Sequence, residues 1–171
     1  MALSFNFRHC QLPITVFLLP MKINWFGSWS LIDSLIENGF SSGTRFFLRG
    51  QAFTLLNAML RNESLQKLAD KGKKEKSLNA LSTGLVAEFN KYIAGKSDLK
   101  PRFLCELLNI THGLHLAGGS TVISQWNEVV KVLENLRNHI PKNRHFRDVK
   151  KAYNKAAAPL KLKVVQGCEK R

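Results

Sequence analysis

Apolar side chains recur along most of the chain every three or four residues, a spacing typical of helices that bury one face. The clearest stripe follows Ser77, a residue type that caps helix starts, and stops at Gly95. Its members are Leu78, Leu81, Leu85, Phe89 and Ile93. The period-two alternation of strands is nearly absent from the sequence. The pattern therefore predicts an all-α protein.

Stop signals divide the rest of the pattern into further helices. Asn38-Gly39 ends the first helix, Gly118-Gly119 ends a later one and Pro141 ends the next. We interpret the chain as a closing helix, two helix pairs and a terminal helix, at residues 28–38, 44–93, 98–140 and 143–157. Stacked helix pairs form a short α-solenoid-like segment, and a helical bundle explains the same stripes.

Two boundaries inside the pairs are set by polar residues. Residues 62–76 are polar and lysine-rich, which predicts a short helix around Leu65 and Leu68 and then a loop. The second helix of the second pair should begin at Ser120 or Thr121 and continue without a break to its stop signal.

One α-helical domain over residues 21–158 accounts for all of these elements. Met21 offers a second possible start, so we expect residues 1–20 to be poorly ordered and to lie outside the folded unit. Residues 159–171 follow the last helix as a basic C-terminal tail.

The excess of positive charge says more about the partner of this protein than any motif in the sequence does. The chain holds 26 Lys and Arg against 12 Asp and Glu, a formal net charge of +14 in 171 residues. Residues 142–171 alone carry 10 basic and two acidic side chains, and a second cluster comprises Lys71, Lys73, Lys74 and Lys76. This excess indicates a polyanionic partner, such as nucleic acid or an anionic membrane surface. A solvated tail that aids solubility would have the same composition.

The terminal helix, predicted over about 143–157, has two unlike sides. The apolar side chains on one side are Phe146, Val149, Tyr153 and Ala156. The cations on the opposite side are Arg144, Arg147, Lys151 and Lys155. A helix docked through its apolar side holds these cations about a turn apart, and such a row can follow a phosphate backbone. We therefore predict a nucleic-acid-binding site here, with the lysine cluster at 71–76 as an accessory contact.

Short strings in the two helix pairs carry a family resemblance. Leu55-Leu56-Asn57-Ala58 in the first pair is echoed by Leu107-Leu108-Asn109-Ile110 in the second. Together with Leu99-Lys100-Pro101, the second string makes residues 98–140 resemble one repeat of the octotricopeptide and FAST/RAP-type helical-repeat proteins. That resemblance implies pairs of helices that bind RNA, mostly in organelles.

A second string is similar to a related group of repeats. Leu78-Asn79-Ala80-Leu81-Ser82 resembles the core of the SKWP repeats found in large secreted effectors of plant-pathogenic bacteria. The sequence departs from that pattern next, because Thr83-Gly84-Leu85 stands where Lys-Trp-Pro would follow. This resemblance implies secretion into a host.

The sequence contains no catalytic motif, which predicts a non-enzymatic protein without a cofactor. His112 and His115 lie three residues apart, a spacing that could place two imidazoles on a metal, but no further ligands converge on them. We assign both to structure or surface. Gly118-Gly119-Ser120 has no strand before it and no Gly-Lys after it, which favours a turn between helices over a phosphate-binding loop.

Aromatic and amide side chains are further candidates for contacts with bases. The chain has three tryptophans, Trp25, Trp29 and Trp126. Trp126 lies on an apolar stripe, which assigns it to the core, and packing is also the favoured role of the other two. Three asparagines, Asn57, Asn79 and Asn109, could read bases as in other helical repeats, or each could satisfy a neighbouring backbone group.

We interpret the sequence as a non-enzymatic α-helical repeat module that binds RNA mainly through its phosphates. Two alternatives stay open: a secreted bacterial effector, or effector fragment, that binds a partner protein, and a DNA-binding factor. The cysteines Cys10, Cys105 and Cys168 form no C-x-x-C pair, which favours a reduced setting inside the cell, in the cytoplasm or an organelle. We expect no integral membrane association, because the apolar run Ile14–Leu19 is far too short to cross a bilayer.

Overall fold

The computed structural model describes residues 28–41, 46–61, 71–97 and 99–166, and all regular structure in these ranges is helical. The helices are α1 (Ser28–Phe40), α2 (Phe46–Leu60), α3 (Lys71–Ile93), α4 (Pro101–Leu116), α5 (Gly119–Val122), α6 (Trp126–Arg137) and α7 (Arg147–Ala157). Two 3₁₀ turns, Arg144–Phe146 and Ala158–Leu160, flank α7. The prediction of an all-α fold is confirmed. The expectations for residues 1–20, Leu65 and Leu68 lie outside the described residues.

The chain divides into two compact units, Met1–Ser77 and Leu78–Arg171, with the boundary inside α3. Each unit buries its own set of apolar side chains. The single domain over 21–158 stays a prediction.

In the first unit, α1 packs against α2. Ile32 of α1 and Phe53 and Leu56 of α2 are fully buried, and each such side chain contributes about 1.5–3 kcal/mol through the hydrophobic effect. Arg49 Nε of α2 donates a hydrogen bond to the Gly39 carbonyl at 2.8 Å. A cation thus satisfies a carbonyl at the C-terminal end of α1, where the helix dipole favours positive charge.

The start of α3 corrects the predicted role of Ser77. The helix begins at Lys71, so the lysine-rich segment that was expected to form a loop is helical from that residue onward. Lysine and glutamate are good helix formers, and the stretch contains no proline. Ser77 is therefore an interior residue rather than a cap. Its side chain is buried and donates a hydrogen bond to Asp33 Oδ1 at 2.6 Å.

In the second unit, the predicted stripe of α3 lies in the core. Leu78, Leu81, Leu85 and Phe89 are fully buried. Ile93, the last member, is half-buried, because α3 ends at this residue. The other buried apolar side chains of this unit include Leu104, Leu107, Leu133, Leu136 and Val149, on α4, α6 and α7.

The segment after α4 is broken where one continuous helix was predicted. Gly118 has a left-handed φ of 84°, which glycine adopts without strain. A Cβ on Gly119 would lie 2.7 Å from the Leu114 carbonyl oxygen, so this position has no room for a side chain. Ile123 then adopts an extended conformation with its side chain buried, and the helix resumes only at Trp126. The helix is therefore interrupted at Ile123, whose side chain is buried in the extended conformation.

Candidate nucleic-acid interface

Helix α7 is docked through the side that the sequence predicts. Val149, Tyr153 and Ala156 are buried, and α7 packs mainly against α4. The Tyr153 hydroxyl donates a hydrogen bond to the Leu133 carbonyl of α6 at 3.0 Å. Two helices therefore hold α7 in one orientation, and its opposite side is fixed in space as a result.

The α-helix begins four residues later than predicted. Asn143 caps a 3₁₀ turn instead, with its side-chain oxygen accepting from the His145 backbone N–H at 3.0 Å. Phe146, expected on the buried side, is only half-buried, because it belongs to this turn. Arg144 lies in the same turn, and side chains three residues apart eclipse in 3₁₀ geometry. Arg144 therefore stays in line with Arg147 although it is not part of the α-helix.

All four predicted cations of this segment are exposed. We call Arg144, Arg147, Lys151 and Lys155 the α7 cation row. Successive members of the row on the helix are four residues apart, a rise of about 6 Å per step. Among the described residues, none of the four takes part in an ion pair. The row therefore presents four charges to solvent along α7 and the 3₁₀ turn before it.

Two neighbouring charges lie outside the row. Lys150 is only 4% exposed, so its ammonium does not extend the row. Asp148 is exposed in the first turn of α7, where the helix dipole favours a carboxylate. It is the only acidic residue between positions 142 and 166. Exposed positive charge therefore predominates along this stretch of the chain.

The predicted accessory cluster does not form a comparable row. Lys73 and Lys76 are exposed, and Lys74 is half-buried. At about 100° per residue, Lys73 and Lys76 lie within about 60° of each other around α3, whereas Lys74 lies about 160° from Lys76. The Lys71 side chain lies outside the described residues. Lysines in the first turn of a helix also oppose its dipole.

His115, Trp126 and the two glycines, which were considered as alternative site residues, take part in the packing and turns of the fold. The His115 ring lies beside that of Trp126, with the centroids 6.1 Å apart and the planes tilted by 35°, and Trp126 is half-buried rather than in the core. Within the described ranges, no group of three or more His, Cys, Asp and Glu side chains is placed to hold a metal. Gly118 lies in the predicted turn between helices, and Gly119 is already the first residue of α5. The Trp25 and Trp29 side chains lie outside the described residues.

Asn79 serves the backbone rather than a base. Its Oδ1 accepts from both the backbone N–H and the hydroxyl of Ser124, each at 3.1 Å. Ser124 lies in the break between α5 and α6, so Asn79 fixes the point where the helix resumes. Asn109 is half-buried and donates to Cys105 Sγ on the preceding turn of α4. The side-chain oxygen of Asn57 is buried.

The only free cysteine in the described part of the chain is part of the contact between α4 and α7. Cys105 Sγ lies 3.7 Å from the Asp148 carbonyl oxygen. Burial, and then the charges of Glu106 and Asp148, raise the pKa of this thiol. A raised pKa lowers the fraction of thiolate, the form of cysteine that acts as a nucleophile.

Stability should fall at high pH because of Tyr153. Burial raises the pKa of its phenol from the usual 10.0 to about 12, with a smaller opposing effect of Arg137. Between these values the folded state keeps a proton that the unfolded state has lost. The stabilisation is complete below pH about 10 and is lost as the pH rises towards about 12. Urea denaturation of the wild type and Tyr153→Phe across this range measures the loss.

The Tyr153→Phe variant should show the shallower decline with pH. Burial also raises the pKa of Tyr92, the other tyrosine of the chain, so part of the decline persists in this variant. Equal pH dependence in the two proteins would contradict the assignment to Tyr153.

In the part of the chain that the structure describes, no helix has the length and apolarity needed to cross a membrane.

The family model described as Myb-binding protein 1A-like, TPR repeats, matches residues 4–163. This finding confirms a resemblance to helical-repeat proteins, but it concerns a different family from the octotricopeptide, FAST/RAP and SKWP repeats. No curated protein and no solved structure matches the chain.

Proposed function

The chain belongs to the Myb-binding protein 1A-like family of TPR repeats, and from this premise we propose that it is a non-enzymatic helical-repeat module that binds RNA mainly through phosphates. TPR-like repeats are binding scaffolds for proteins or other macromolecules, which supports a binding role rather than catalysis. The observation that carries the choice of RNA is the α7 cation row. Three of its four exposed side chains lie on a helix whose other side is buried, and Arg144 lies in the 3₁₀ turn just before that helix.

Phosphate contacts suit this row for two reasons. Its members have no counter-charges among the described residues, so binding an anion breaks no existing ion pair. The docked helix also fixes their spacing before the ligand arrives, which lowers the entropy cost of binding. The half-buried Asn79 and Asn109 make hydrogen bonds within the fold instead, so the proposed contacts position a strand without selecting its sequence.

Affinity should fall steeply with salt. Each neutralised phosphate releases condensed counterions, and four contacts to a single strand give a slope of about −3 or steeper in a plot of log affinity against log salt. Between about 50 and 200 mM salt the affinity should fall at least about 50-fold. Fluorescence anisotropy with a labelled single-stranded RNA measures this slope. A slope near zero would reject phosphate binding.

Other ligands are distinguished in the same assay. Tighter binding to duplex DNA than to RNA would favour the DNA-binding alternative. A protein partner is the second candidate, because the matching family is named for a protein that binds Myb. An affinity for nucleic acid that is weak at all salt concentrations would favour this candidate, and with it the effector alternative. The location inside the cell, in the cytoplasm or an organelle, is part of the RNA proposal.

A further inference from the structure

After α7 the chain turns back on itself. The 3₁₀ turn Ala158–Leu160 is followed by Lys161 in the left-handed conformation, with φ 57° and ψ 28°. The Lys161 and Leu162 N–H groups donate to the carbonyls of Ala158 and Ala157, at 3.1 and 3.2 Å. These bonds close the end of the helix in the manner of a Schellman motif. The following residues therefore return alongside α7 instead of leaving it.

Asn154 holds the returning segment. Its Nδ2 donates to the Val165 carbonyl at 3.0 Å, and its Oδ1 accepts from the Val165 N–H at 2.7 Å. One side-chain amide thus pairs with both backbone groups of a residue eleven positions later. No alanine, leucine or aspartate can make both bonds, because the pair needs one donor and one acceptor on a short side chain.

The held segment is anchored to α7 at one edge of the cation row. At about 100° per residue, Asn154 lies about 20° from Arg147 and about 60° from Lys151 around the helix axis. Leu162 and Val165 are half-buried, whereas Lys161 and Lys163 are exposed. Two further exposed cations therefore lie on a segment that is hydrogen-bonded to the helix of the row.

This arrangement works against electrostatics. A segment that carries lysines would extend away from a helix of the same charge if nothing held it. The residues from Val149 to Gln166 themselves contain no carboxylate. An anion bound between the segment and the row removes the repulsion, and the two hydrogen bonds should then become more stable.

We infer that Asn154 is a positioning residue, which holds Lys161 and Lys163 where they bind phosphates of the same RNA strand as the α7 cation row. The inference rests on the proposed function. With six contacts rather than four, the wild type should show a salt slope of about −4. RNA should also slow hydrogen exchange at the Val165 amide, because the ligand and the clamp stabilise each other.

The test compares Asn154→Ala, the double variant Lys161→Ala/Lys163→Ala, and the triple variant that combines them. Alanine is the best helix former, so the first change leaves α7 intact. We expect both Asn154→Ala and the double variant to lower RNA affinity about five- to tenfold and to reduce the slope to about −3. The triple variant should bind like the double variant, because the two changes remove the same contacts.

Asn135→Ala, which changes an exposed asparagine of α6, is the control and should bind like the wild type. A wild-type slope in Asn154→Ala, additive losses in the triple variant, or unchanged Val165 exchange on adding RNA would each overturn the inference while leaving the proposed function in place. A wild type that binds no RNA would overturn both.

Discussion

Replacing Arg144, Arg147, Lys151 and Lys155 together by glutamate is expected to lower RNA affinity by at least about 100-fold. The change removes four phosphate contacts and places four carboxylates where the RNA strand would bind. Circular dichroism should show a helix content like that of the wild type, because all four side chains are exposed and arginine, lysine and glutamate have similar helix propensities. Fluorescence anisotropy with single-stranded RNA measures the loss.

A matched pair of double variants separates position from net charge. Arg147→Glu/Lys151→Glu changes two members of the row, and Lys96→Glu/Lys131→Glu changes two exposed lysines elsewhere in the same unit. Lys131 contributes an exposed ion pair with Glu128, which is worth little to stability. The first variant should lose much more affinity than the second. Equal losses would mean that binding depends on overall charge alone, and the site on α7 would then be wrong.

Tyr153→Ala is expected to destabilise the second unit by about 3–5 kcal/mol. The side chain is 0% exposed, so its removal leaves a cavity between α7 and its neighbours and breaks the hydrogen bond to Leu133. Tyr153→Phe keeps the ring and should cost only about 1 kcal/mol. Urea denaturation followed by circular dichroism measures both values.

Loss of docking should also weaken RNA binding although no charge has changed. Once α7 is free to move, its cations are no longer held at a fixed spacing before RNA binds. RNA binding then has to order them, and the entropy cost of this ordering lowers the affinity. Tyr92→Ala is the control, because it removes a tyrosine that is half-buried and lies on α3 rather than on α7. A Tyr153→Ala protein as stable as the wild type, or one that binds RNA with wild-type affinity after loss of α7 order, would contradict this account.

Most of the helices could be predicted because their signals are local. Leu78, Leu81, Leu85 and Phe89 follow the helical period and are all buried. The two sides of α7 were predictable for the same reason, since the spacing of Val149, Tyr153 and Ala156 places the cations opposite them. Helical geometry relates residues only a few positions apart, so no knowledge of the tertiary structure is needed.

The predictions from sequence are wrong where the same local pattern is compatible with more than one structure. Ser77 is a residue type that caps helix starts, but the lysines before it also favour a helix. Its hydroxyl donates a hydrogen bond to Asp33. Trp126 falls on an apolar stripe, but the break before it moves the side chain to a half-buried position against His115. In both cases a competing contact decides the outcome, and its strength depends on residues distant in sequence.

The amino-acid sequence by itself determined the all-α class, the buried stripes, the excess of positive charge and the presence of one helix with opposite apolar and cationic sides. Only the tertiary structure decided which polar side chains serve the fold: Ser77 pairs with Asp33, Asn79 holds Ser124, and Asn154 returns the tail to α7. The physical reason is range. Periodicity and charge add up along the chain, whereas a hydrogen bond between residues 44 or 45 positions apart forms only after packing has brought its donor and acceptor together.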